Sequence, residues 1–259
     1  MEHPPFVSAI LCTGYDPWRV KYLLPQAIEC LRRQTHPHWE AVVVCDNPAE
    51  ADAVRAAVAG IPHQFVEVPA GWHLGAKRNA GLDAARGTFR IQWDDDDWHH
   101  PARIELQLKA CLLAGGTHAV YLRRQIAYAF DLDTAYVREF PPDRGICIQG
   151  SVLGPKSDIR YPPDRTMGED TAYLGEWLKR RRTLVMDNDP LLYVRLSHGR
   201  NLSSRAHIMR EVEGRSGDWS GLTVQQQHML RSILDNYREA IETGRARSGT
   251  VDNQRQSSG

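Results

Sequence analysis

The chain has 259 residues, 42% hydrophobic and 25% charged, enough for one large domain or two small ones with a sizeable core. Its 32 Lys and Arg balance 32 Asp and Glu, so no net charge draws it to nucleic acid or an anionic membrane, and a local patch must meet any such partner. No apolar stretch approaches membrane-spanning length, and five cysteines (Cys12, Cys30, Cys45, Cys111, Cys147) form no CxxC pair, which sets aside disulfide scaffolds and zinc modules and predicts buried free thiols in a reducing, cytoplasmic setting.

The opening "MEHPPFVSAILCTGYDPW" has neither a basic leader region nor a small-residue cleavage site, so no secretory signal is expected. "FVSAILCT" (6–13) is a short continuous apolar run of strand type, and Leu23, Leu24, Ala27, Ile28 and Leu31 then recur at helical spacing. The same alternation continues through "WEAVVVCDN" (39–47), "AEADAVRAAVAG" (49–60), "HQFVEVP" (63–69), "LGAKRNAGLDAARG" (74–87) and "TFRIQW" (88–93). Continuous apolar strands separated by helices predict a parallel sheet with right-handed crossovers. "PARIELQLKACLLAGG" (101–116) reads as a helix opened by Pro and stopped by Gly-Gly.

Beyond it the pieces "HAVYLRRQIAYAF", "CIQGSVLG", "TLVMDN" and "LLYVRLSH" are strand-like, with one helix expected near 169–181. The expected organisation is a nucleotide-binding half (1–115), an α+β half (116–221) of the same domain, a C-terminal helix (222–242) and a disordered tail (243–259) that lacks apolar residues.

Ligands of open parallel sheets bind beyond the carboxyl ends of the strands. Four polar clusters fall at those ends: "TGYD", "CDNP", "PAGWHLGAKRN" and the run "DDDD" (94–97) between Trp93 and Trp98. Four adjacent carboxylates repel, so a cation must repay their placement. They suit a hard divalent metal, acid–base work, or merely a solvated turn; the apolar strand before them and the converging clusters favour the metal.

These motifs, in this order, resemble the family 2 inverting glycosyltransferases of the GT-A fold. The likeness is strongest in "VSAILCTGYD…LLPQAIECLRRQTHPHWEAVVVCDNP" and "GAKRNAGLDAARGTFRIQWDDDDWHHPARIE". It implies a mainly parallel α/β fold, a nucleotide-diphosphate sugar as donor with uridine as the expected base, and Mn²⁺ or Mg²⁺ as cofactor. Thr13 and Asp46 would contact base and ribose, and Lys77 and Arg78 the ribose or phosphates. Asp94 and Asp96 match the Asp-x-Asp motif, with Asp96 as the direct metal ligand; in a run of one residue type the register can slip to Asp95, counted with the nucleotide contacts, or to Asp97.

"MGEDTAYLGEW" offers Glu169 and Asp170, of which the resemblance makes Asp170 the catalytic base; acids at a helix start also suit the dipole alone. In "YVRLSHGRNLS", His198 resembles a late metal or diphosphate ligand, with Arg200 and Arg205 near the diphosphate. The Gln-x-x-Arg-Trp motif of processive members is absent, so a single transfer to an acceptor saccharide, glycolipid or other hydroxyl-bearing molecule is expected. The basic run "LKRRR" (178–182) leaves an anionic acceptor, nucleic acid included, open. Two other readings stand beside this one: a metal-dependent nucleotidyltransferase, for which a Gly-rich loop after the first strand is missing, and a non-catalytic sugar-binding relative, which would not need Glu169 and Asp170.

Overall fold

The computed structural model describes residues 4–141, 147–201 and 217–243; Arg205 and all but the first residue of the expected tail lie outside them. Three strands, β1 (Val7–Thr13), β2 (Trp39–Cys45) and β3 (His63–Glu67), pair in parallel, and β4 (Phe89–Asp94) joins β1 on its other side. Helices α1 (Pro17–Tyr22), α2 (Leu24–Arg32), α3 (Ala51–Val58) and α4 (Leu74–Ala84) make the crossovers. The strands read as unbroken apolar runs because helices cover both faces. Leu11 and Val43 face one core with Ile28 and Val54, while Ile10 and Val42 face the other with Leu82 and Trp177.

The apolar spacing of residues 23–31 marks only α2. Asp16 caps α1 by accepting from the Trp18 amide, and Pro25, which has no N–H to donate, sits in the first turn of α2 and separates the two.

After β5 (Trp98–His99) and α5 (Arg103–Leu113) come β6 (Ala119–Leu122), β7 (Arg124–Ala129), β8 (Thr134–Glu139) and β9 (Ile148–Pro155). Then follow α6 (Glu169–Lys179), β10 (Thr183–Met186), a 3-10 turn Pro190–Leu192 and β11 (Tyr193–Ser197). The large sheet has the order β10-β6-β9-β4-β1-β2-β3, with β9 its one reversed strand, and a smaller sheet has the order β5-β11-β7-β8. "HAVYLRRQIAYAF" is therefore two strands in two sheets, parted at Arg123, whose amide is held by the Asn188 side chain at 3.0 Å. Helix α7 (Val224–Asp235) carries a Thr223/Gln226 capping box and packs Leu230 and Ile233 under the small sheet.

All five cysteines are free. Among the described residues, no helix is long and apolar enough to cross a membrane.

Candidate active site

Strand register builds the site. In the parallel pairing Thr13 lies opposite Cys45 and Cys12 opposite Asp94. The next residues, Asp46 and Asp95, thus leave the sheet beside Thr13, and the Thr13 hydroxyl donates to Asp95 at 2.6 Å. A cleft of about 1070 Å³ opens over these strand ends, lined by Thr13, Asp46, Lys77, Arg78, the run 94–97, Glu169 and Asp170.

Lys77 and Arg78 are the fourth and fifth residues of α4, close to its N-terminus, where the helix dipole disfavours cations. Acids repay the cost. Lys77 pairs with Asp46, and the buried Arg78 pairs with Glu169 and, at 3.3 Å, with Asp94. Burial works against the charge on Arg78, but Asp94 and then Tyr161 and Glu169 more than offset it and hold the guanidinium protonated. One side chain thereby joins the end of β4 to the start of α6. Asp46 Oδ1 is buried without a hydrogen-bond partner among the described residues, which fits a ligand N–H donor arriving from the cleft.

The four aspartates, identical in sequence, have four different environments. Asp94 is the most open, its side chain 25% exposed, and accepts weakly from Arg78, from Gln92 at 3.2 Å and from the Tyr193 hydroxyl at 3.3 Å. Asp95 is sealed between Thr13 and Arg19; burial is the main cause pushing its carboxyl up, and Asp96 adds to it against the pull of Arg19. Asp96 Oδ2 is ringed by Arg19 at 3.0 Å, His198 Nε2 at 3.1 Å and Asn201 Nδ2 at 3.2 Å. Burial opposes its ionisation, but Arg19 and His198 outweigh that and hold the Asp96 carboxyl below the usual range. Asp97 turns away into the small sheet, accepting from the Tyr193 hydroxyl and from the Leu196 amide at 2.9 Å, and burial followed by Asp96 and Asp94 drives its carboxyl well above the usual range.

Glu169 and Asp170 also separate. Glu169 is buried against Arg78, and burial raises its carboxyl despite that partner. Asp170 accepts from the Thr171 amide at 2.7 Å and lines the cleft. His198 stands behind Asp96, and the tilted Trp18 ring lies 5.2 Å from it. Arg200 pairs with Asp16 at 2.9 Å and lies over Trp18. The basic run is engaged locally, Lys179 with Glu176 and Arg180 with Asp158, and does not line the cleft.

A hard divalent cation fits this donor set: Asp96 and His198 face one another, with Asp94 on the open side. Among the described residues no three His, Cys, Asp or Glu side chains form a complete cage, so such an ion would draw its remaining ligands from water and substrate oxygens, as Mg²⁺-type sites do. Arg19 has no counterpart in the sequence reading. A single arginine in "PWRVKY" carries no local signal, because its carboxylates lie 76 residues or more away. Tyr193 is likewise set by tertiary contact. On the second-half side the cleft adds Gln125, Arg138 and Arg195, and at its mouth the exposed Trp72 and Met167.

The family profile described as Glycosyl transferase family 2 matches residues 20–149, about half of the chain. The chain is 36% identical over 84 residues to EpsH of Bacillus subtilis, named for a glycosyltransferase assignment, covering 32% of this chain and 24% of that one. It is 27% identical over 144 residues to an uncharacterized glycosyltransferase of Methanocaldococcus jannaschii, covering 54% and 48%. It thus spans about half or less of the length of these relatives. Among solved structures it is similar to S. aureus TarS 1-349 in complex with UDP (TM-score 0.58, 16% identity, 90% of this chain and 80% of that one). A similar likeness holds to the mannosyltransferase PcManGT from Pyrobaculum calidifontis in complex with GDP-Man and Mn²⁺ (TM-score 0.58, 16% identity, 81% and 61%). At such identities the likeness speaks for the fold, which is that of the GT-A glycosyltransferases. By the profile match over residues 20–149, the chain belongs to glycosyl transferase family 2.

Proposed function

We propose that the protein is a metal-dependent, inverting, non-processive glycosyltransferase that moves one sugar from a nucleotide-diphosphate sugar, uridine-linked, to an acceptor hydroxyl. The observation that carries this reading is that Asp46, the aspartate run and Asp170 line one cleft from β2, β4 and α6. The free Asp46 Oδ1 suits an N–H of the base, and Thr13 and Asp95 close the adjoining rim. Lys77 and Arg78 bring positive charge to the donor side. TarS in complex with UDP and PcManGT in complex with GDP-Man, which share the fold, support a nucleotide ligand.

Asp170 takes the proton of the acceptor hydroxyl as its oxygen attacks the anomeric carbon, and the bond from that carbon to the diphosphate breaks on the opposite side. Glu169 and Arg78 act by position: their ion pair fixes the start of α6 against β4, so that the base faces the donor. Asp96, Asp94 and His198 would hold Mn²⁺ or Mg²⁺, which when bound stabilises charge on the departing diphosphate. Five free thiols suit a reducing, cytoplasmic compartment.

Calorimetric titration with a panel of nucleoside diphosphates, with and without Mn²⁺, tests the reading. Mn²⁺-dependent binding of UDP is expected; binding of no nucleotide under either condition would overturn it in favour of a non-catalytic relative.

A further inference from the structure

Arg19 belongs to α1 rather than to any strand end, yet its guanidinium lines the cleft and touches Asp95 Oδ1 and Asp96 Oδ2. It is 7% exposed, and its Nε has no partner among the described residues. Asp96 Oδ2, to which it lies at 3.0 Å, is the oxygen that also faces His198 and Asn201. A divalent ion shared by Asp96 and His198 would therefore meet a fixed positive charge at close range, in a place shielded from water where like charges repel strongly.

The helix that carries Arg19 is tied to the far side of the same site. Asp16 pairs with Arg200, the Tyr15 hydroxyl donates to the Arg200 carbonyl at 2.6 Å, and the Arg19 guanidinium lies 5.2 Å from the Tyr15 ring centre. Residues 198–201 and the start of α1 are thus tied together, while Arg19 meets the aspartates through its side chain. Asp95 offers it a second carboxylate to retain.

We propose that Arg19 is the built-in counter-ion of the aspartate run: it holds Asp96 while the cleft is without ligand and yields it when diphosphate charge arrives, so that Mn²⁺ enters only together with the nucleotide. The inference rests on the metal-dependent reading above. By reciprocity, nucleotide and metal must raise each other's affinity by the same factor, and Arg19 is what makes that factor large. Arg19 is a positioning residue here, acting through Asp96.

Electron paramagnetic resonance of free Mn²⁺, titrated into the intact protein with and without UDP, tests this without reference to turnover. Wild type should take up Mn²⁺ far more tightly with UDP than without. Arg19→Gln should bind Mn²⁺ alone at least about tenfold more tightly than wild type, and its gain from UDP should shrink. Arg19→Lys, whose ammonium reaches one carboxylate rather than bridging two, should give an intermediate gain, and it decides the matter should the glutamine variant fail to fold. A folded variant that binds Mn²⁺ alone no better than wild type overturns the proposal while leaving the function intact. A wild-type protein that takes up no Mn²⁺ even with UDP overturns the metal-dependent reading and this proposal together.

Discussion

Asp97 offers the sharpest test of how the aspartate run is divided. Its carboxylate is 4% exposed and accepts from two groups of β11, the Tyr193 hydroxyl and the Leu196 amide, both buried. Asp97→Ala would leave both donors unpaired, at about 1–3 kcal/mol each. Removing a carboxyl whose ionised form burial disfavours returns part of that, so a net loss of about 2–4 kcal/mol is expected, a fall in Tm on the order of 5–15 °C for a domain of this size. Asp97→Asn keeps an acceptor for the Leu196 amide and lets the Tyr193 hydroxyl turn to accept, so its stability at pH 7 should match wild type within about 1 kcal/mol.

The sign of the pH dependence follows from the raised carboxyl of Asp97. The folded state holds this proton more tightly than the unfolded chain, so ionising it costs stability as pH rises through the folded value. Wild type should therefore gain on the asparagine variant as pH falls towards the ordinary carboxylate range. Thermal denaturation from pH 4 to 8, beside Mn²⁺ and UDP titrations, measures all of this. A folded Asp97→Asn protein that has lost Mn²⁺-dependent UDP binding would refute the structural role and move the metal register by one residue.

Asp170→Asn should bind donor nucleotide like wild type while transfer falls by about 10²–10⁴-fold; a variant as active as wild type would place the base elsewhere. Gly75→Ala puts a methyl 1.9 Å from the Pro162 carbonyl oxygen, a backbone atom that cannot step aside, so α4 must shift from the 162–168 loop; a drop in Tm of several degrees with weakened UDP binding is expected, on the scale of about 1–3 kcal/mol for overpacking. Asp96 is held below the usual range chiefly by Arg19, against burial, so its contribution to stability is present above the unfolded value near 4 and is lost as pH falls through the lower folded value. The stability difference between wild type and Asp96→Asn should shrink in that acid window, as urea midpoints at pH 3 and pH 7 would show.

The strand ends and their polar residues were legible because parallel pairing carries local periodicity directly into a shared rim: once β1, β2 and β4 are aligned, Thr13, Asp46 and Asp95 follow. What the sequence could not convey is how identical residues diverge. Asp94, Asp95, Asp96 and Asp97 are told apart by Arg78, Arg19, His198 and Tyr193, partners that lie from 16 to 102 residues away. The second sheet was opaque for the same reason. β11 pairs in parallel with β7, and no turn signal announces such a partner.

The reversed strand β9 gives the aspartate run a bearing on synthesis. β4 is an edge until β9, made about sixty residues later, seats beside it, and Tyr193 and His198 follow about a hundred residues after the run. At ribosomal speeds of about 5–20 residues per second, the nascent chain carries an open, apolar strand edge for several seconds. Four like charges at its tip make pairing with the same edge of another nascent chain repulsive. Carboxylates that in the finished fold are divided between the cleft and the small sheet thus keep the unfinished edge apart from its like.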